Sequence, residues 1–161
     1  MSDVRTLMAR SPLTTELADQ LAPDMKSRGF RKSGATWHRD QGRIIQVMNI
    51  QKSQWSDRFY INVGIYLKDL GTEARPTEYR CHVRCRAEQL VAPSELPELH
   101  LLLNFTEPVP LVERYARLRA FVAKSALAWL DANSTKEALA NTLRATGIKG
   151  FFISIQPAKS G

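Results

Sequence analysis

Seven polar side chains fall at spacings that bring them to one surface: Asn49 and Gln51, then Tyr60, Asn62 and Tyr66, then His82 and Arg84. Within each group the separations are even, and residues an even number apart on a β-strand point to the same side. Neighbouring strands hold same-face side chains about 5 Å apart, so adjacent strands would gather these amides, phenols, imidazole and guanidinium into one patch. Such groups suit hydrogen bonding to a ligand or to an extended protein or peptide partner. His82 beside Arg84 would also suit phosphodiester chemistry, but no carboxylate or nucleophile stands near it in sequence to orient it as a base. The competing reading is a solvated sheet face, or one covered by a C-terminal helix with its amides satisfied internally.

Other chemistries lack their signatures. His38, His82 and His100 are scattered, and none stands at metal-ligand spacing from Cys, His or a carboxylate. There is no Gly-x-Ser-x-Gly elbow, no Gly-rich phosphate loop and no dinucleotide fingerprint, so the reading names no catalytic residue, metal or cofactor. Tyr60 and Tyr66 with Arg80, Arg84 and Arg86 are the residue types of sheets that stack single-stranded RNA, yet the two rings lie about 20 Å apart on one strand. Nucleic-acid binding therefore ranks second to a non-enzymatic binding role, and hydrolysis through His82 third. Gly147-Ile148-Lys149-Gly150 has the Gly-x-x-Gly form of an RNA-clamping loop, but here a helix runs into a strand, which fits a helix C-cap better.

The chain has 161 residues, 43% of them hydrophobic, which suits a single domain able to bury its own core. Its net charge of +7 would help a polyanion dock, but the Lys and Arg residues are dispersed. Cys81 and Cys85 would lie about 13 Å apart on a strand, too far for a disulfide, and two buried free thiols suit a reducing cytoplasm. The N-terminus lacks an apolar signal region and no stretch is long enough to span a membrane, so the expected location is cytoplasmic, with no membrane partner.

The elements that would position the patch make an α+β domain. Ser11-Pro12 opens a helix with Leu13, Leu17, Leu21 and Met25 on one face and Gly29 at its end, kinked or broken by Pro23 near residues 20–22. Strands follow around Thr36–Arg39, at Arg43–Lys52 and at Arg58–Leu67, the first two joined through Asp40-Gln41-Gly42. A fourth runs Tyr79–Arg86 with Cys81, Val83 and Cys85 inward. Four prolines interrupt residues 91–110, leaving room only for short pieces such as Leu99–Phe105. Leu111, Tyr115, Leu118, Val122, Ala126 and Trp129 stripe a helix, and Ser134 with Glu137 forms a capping box for another that ends at Gly147. Phe151–Ile155 is an edge strand or a swapped tail. The expected whole is a single domain: an N-terminal helix and an antiparallel sheet of about four to five strands over residues 10–90, a Pro-rich connection over 91–110, a helical pair over 111–147 packed on the sheet, and a tail or edge strand over 148–161.

Four blocks carry a resemblance: Leu21-Ala22-Pro23-Asp24-Met25-Lys26-Ser27-Arg28-Gly29-Phe30-Arg31-Lys32-Ser33-Gly34, Trp37-His38-Arg39, Gln46–Ser53 and Phe59–Tyr66. Together they resemble the bacterial domain-of-unknown-function family 4304, well over residues 10 to 90 and more loosely beyond. The resemblance implies a bacterial origin and an α+β fold. It implies no activity, cofactor or catalytic residue. Gly64, mid-strand on the outward face, weakens a strand, so its bare backbone is expected to admit something large, such as Trp37, Trp55 or a bound partner.

Overall fold

The computed structural model describes residues 12–146 and the backbone of Phe152–Ile153. Ser11, Gly147 and the Gly147–Gly150 loop lie outside the described residues. Helix α1, Pro12–Ser27, buries Leu17, Ala18, Leu21 and Met25 along one side. It runs through Pro23 without the expected break. Pro23 and Asp19 are both exposed, so water can satisfy the carbonyl that proline leaves unpaired. The helix closes with Phe30 N–H on the Met25 carbonyl and Gly29 N–H on that of Lys26.

Five strands then follow in simple order: β1 (Arg31–Ser33), β2 (Thr36–Asp40), β3 (Ile44–Lys52), β4 (Phe59–Leu67) and β5 (Val83–Arg86). Each pairs antiparallel with its neighbour, and β6 (Phe152–Ile153) adds to β5 on the same chain, completing a six-stranded sheet. β1 escaped the sequence reading because three exposed residues carry no periodicity. At the β2–β3 turn Gly42 takes φ +91° and donates its N–H to Asp40 Oδ1 at 2.8 Å.

The register sets two faces. Met48, Ile50, Ile61, Val63, Ile65, Val83 and Cys85 join the main core with α1 and the later helices. On the outer face Gln51 pairs with Tyr60, Asn49 with Asn62, Val47 with Gly64 and Ile45 with Tyr66, while Arg84 and Arg86 lie beyond on β5. The expected phase of β3 and β4 therefore holds. The fourth strand departs from expectation: Glu78–Arg80 form a 3₁₀ turn, the strand begins at Val83, and Cys81 points to the outer face instead of the core. There it joins Ile45, Val47 and Tyr66 in a small second core.

Residues 68–82, linking β4 to β5, form the roof of that second core. His38 Nε2 donates to the Pro76 carbonyl at 2.7 Å, Glu73 N–H to Tyr66 Oη at 3.1 Å, and Arg84 to both oxygens of Glu78 at 2.8 and 3.1 Å. The space at Gly64 is what admits this crossover. A Cβ placed there would sit 2.7 Å from both Cβ and Sγ of Cys81, closer than carbon and sulfur can approach. The expected close approach is real, but it comes from Cys81. Trp37 is wholly buried in the main core and Trp55 is 91% exposed.

The prolines are accommodated differently from expectation. Pro93–Glu95 make a 3₁₀ turn leading into α2 (Leu96–Leu103), and Pro97 occupies its first turn, where no N–H is missed. Arg114 organises the return. Its side chain is 1% exposed and donates to the carbonyls of Leu101, Leu102, Asn104 and Glu107 at 2.5–3.0 Å while stacking 4.6 Å from the Phe105 ring centroid. Those carbonyls include the open end of α2, where a cation is favoured. α3 (Leu111–Val122) passes through a π-turn (Ala123–Leu127) into α4 (Ala128–Ala132). Its stripe is buried at Tyr115, Leu118, Val122 and Ala126, whereas Leu111 is 49% exposed. Before α5 (Lys136–Thr146) the expected capping box does not form. Ser134 donates back to the carbonyls of Leu130 and Asp131, and Thr135 Oγ1 accepts the Ala138 N–H at 3.0 Å.

Two consequences are measurable by urea denaturation. Arg114→Met strands several buried carbonyls and should cost about 3–5 kcal/mol, with Arg114→Lys recovering only part because an ammonium cannot span them. A loss below about 1 kcal/mol would mean that Arg114 does not hold the Pro-rich return. Gly64→Ala should cost about 1–3 kcal/mol through overpacking, and the loss should shrink by at least about 0.5 kcal/mol in a Cys81→Gly background. Equal losses in both backgrounds would place the clash elsewhere.

Candidate functional site

The crossover divides the seven polar residues into two groups. At the open end lie Asn49, Gln51, Tyr60 and Asn62; beneath the crossover lie Tyr66, His82 and Arg84. No C-terminal helix covers the described part of this face; the chain's own β4–β5 connection covers half of it.

At the open end the amides form a ladder across four strands. Arg86 Nε donates to Asn62 Oδ1 at 3.2 Å, Asn62 Nδ2 to Gln51 Oε1 at 2.9 Å and Asn49 Oδ1 at 3.3 Å, and Asn49 Nδ2 to Thr36 Oγ1 at 2.9 Å. Asn62 is 6% exposed, so this ladder satisfies groups that water cannot reach. Gln51 remains exposed, and Tyr60 is half-buried with the guanidinium of Arg86 4.1 Å and that of Arg58 5.5 Å from its ring centroid. Trp55 stands in the β3–β4 loop at the same end, almost entirely in solvent. Arg58, Arg86 and Trp55 were not among the residues singled out for the patch. Arg86 could have been found from its even spacing to Arg84, but nothing in the spacing of Trp55 marks it.

Under the crossover the chemistry is closed down. Tyr66 is 4% exposed and its ring lies 4.7 Å from that of His82. The Leu67 N–H donates to His82 Nδ1 at 2.9 Å, which requires that nitrogen to be unprotonated, and burial lowers the pKa of the imidazole. Arg84 is held by Glu78, whose hydrogen bonds raise its pKa. Burial pushes the Cys85 thiol up to about 12 and that of Cys81 higher still, so neither is an available thiolate. Among the described residues no three His, Cys, Asp or Glu side chains gather to hold a metal ion, and no helix is long and apolar enough to cross a membrane.

Over residues 21–132 the sequence matches the family model described as Domain of unknown function (DUF4304). The chain belongs to that family. The DUF4304 match runs from within α1 to the end of α4, so it includes both faces of the sheet, the crossover with Gly64 beneath it, and Arg114. It stops before α5 and β6. No curated protein and no solved structure matches the chain.

The buried imidazole gives this DUF4304 chain a testable pH dependence. Because the folded pKa of His82 is lowered from the usual 6.5, the unfolded chain binds its proton first as pH falls. Its contribution to stability is present above 6.5 and is lost progressively below that value, until the lowered folded pKa is reached. Urea midpoints measured from pH 7.5 to 5.5 should therefore fall, and His82→Asn, whose amide oxygen can accept the Leu67 N–H without titrating, should flatten the slope. An unchanged slope would assign it to other groups.

Proposed function

We propose that this protein is a non-enzymatic binding domain that captures an acidic, extended protein or peptide segment at the open end of its outer sheet face. The observation that carries this reading is Trp55, 91% exposed in the β3–β4 loop at the same end of the sheet as Tyr60, which is flanked by Arg58 and Arg86. Trp, Tyr and Arg are the residues that dominate interface hot spots, and they stand here on the rim of a rigid sheet. Gln51 offers an exposed amide for main-chain hydrogen bonds, and the guanidiniums of Arg58 and Arg86, whose charge also acts on the Glu88 carboxyl, favour carboxylates. Asn49 and Asn62 act in this reading as the support that fixes Gln51 and Arg86, while Tyr66, His82 and Arg84 hold the crossover.

The geometry speaks against stacking of nucleic-acid bases. Tyr66 is covered, and guanidiniums already lie against the ring of Tyr60. Hydrolysis through His82 fares no better, since its Nδ1 accepts a backbone N–H and no carboxylate bonds to it among the described residues.

Peptides selected from a random display library on the wild-type protein should be rich in Asp and Glu. Trp55→Ser should weaken them by roughly thirtyfold, the scale of a 2 kcal/mol hot spot, and Gln51→Ala by a smaller factor. Thermal midpoints should stay within about 2 °C of wild type, as expected for exposed side chains away from structural features. Peptides that bind both variants as tightly as wild type, or steeply salt-dependent capture of oligothymidine instead of peptide, would overturn this reading.

A further inference from the structure

A second surface, away from Trp55, is a cavity of about 520 Å³ where the crossover meets the other end of the sheet. Its floor is the outer face of β1 and β2, from Arg31, Ser33, His38 and Asp40, together with Ile45; its wall is Ala74 and Arg75 of the crossover, and Lys32 stands at its rim. The volume falls within the range of small-molecule sites.

The charges in this cavity do not balance. Asp40 is the only carboxylate lining it, and it already accepts from Lys68 Nζ at 2.9 Å on both oxygens and from Gly42 N–H at 2.8 Å. Those bonds hold the Asp40 carboxyl below the usual carboxylate range. Lys32 pairs with Asp19 at 3.2 Å. His38 donates Nε2–H to the Pro76 carbonyl, fixing the wall to the floor. Arg31 and Arg75 remain: they line the same cavity, and neither side chain has a hydrogen bond or ion pair among the described residues. Two exposed like charges line one space, one on the sheet and one on the crossover, and an anion between them would be paired by both.

We propose that this cavity binds a phosphomonoester of a small organic molecule. Arg31 and Arg75 would each donate to phosphate oxygens from opposite sides, as guanidiniums do in forked pairs, and Ser33 supplies a hydroxyl. Ile45 and Ala74 supply the apolar contact for the organic part. Occupation would tie the crossover to β1 through the ligand, adding to the His38–Pro76 and Asp40–Lys68 bonds that join β2 to the crossover at this end.

The test is a titration of the full-length protein with inorganic phosphate and with ribose 5-phosphate, followed by two-dimensional amide NMR and calorimetry. The expected result is a set of shifts confined to residues 29–33, 38–40 and 74–76, with ribose 5-phosphate binding more tightly than phosphate. Arg31→Gln combined with Arg75→Gln should raise the dissociation constant at least about tenfold, because each lost charge-assisted bond is worth about 1.5–3 kcal/mol. Arg43→Gln, at an exposed arginine outside the cavity, should leave it unchanged. Both cavity arginines are exposed and unpartnered, so the double variant should retain the wild-type amide spectrum elsewhere. Absence of shifts at these residues at low-millimolar ligand would overturn the proposal. So would equal affinity in the double variant, or an ester that binds no better than inorganic phosphate.

Discussion

The outer half of this protein depends on one missing methyl group. Gly64 lies mid-strand in β4, and only because it has no Cβ can Cys81 settle against the sheet and bring the whole 68–82 connection down with it. From that contact follow the burial of Ile45, Val47 and Tyr66, the neutral state of His82, and the Arg84–Glu78 pair. The cavity between Arg31 and Arg75 exists because the same connection ends its descent at Pro76. A sheet that would otherwise have one wet face is thereby sealed on half of it and left open on the other half.

The core side is held by a different device. Gln46, fully buried in the main-core phase of β3, donates to the carbonyls of Leu130 and Asn133 at the end of α4 and accepts from Arg39 Nε at 2.8 Å. Arg114 serves the end of α2 in the same way. In both cases a helix C-terminus that points into protein finds its donors on a side chain from another element. Polar groups in this core therefore fix where helices stop, while the apolar contacts fix how they lie.

Periodicity made the sheet legible where one face is apolar and the other is not. Phe59–Leu67 alternates over its whole length, and its phase and its end at Leu67 agree with the structure, which starts the strand one residue after the expected Arg58. β3 also lies as expected: the phase that keeps Asn49 and Gln51 outside places Gln46 inside. The crossover was not legible as a cover, since loops of Gly, Pro and charged residues look alike whether they lie in solvent or on a sheet. Two signals pointed to it: Ile45 and Val47 share the outer phase with Asn49, and an apolar outer face must be covered. Ser134 and Thr135 show the opposite limit, because either could cap α5 and only the exit direction of α4 decides which hydroxyl is free. The three exposed residues of β1 are strand by virtue of pairing alone.

The simple strand order bears on how the chain acquires its shape. From Arg31 to Leu67 every strand pairs with the one just before it, so this half requires only short loop closures of the kind that complete within microseconds. The pairing of β6 with β5 spans helices α2 to α5 and must wait for nearly the whole chain. During synthesis, a chain that has emerged only to Leu67 has all the residues of β1 to β4 but not the Cys81 crossover that covers Ile45, Val47 and Tyr66. The residues that shield them follow immediately, which limits how long that sticky surface faces the cell.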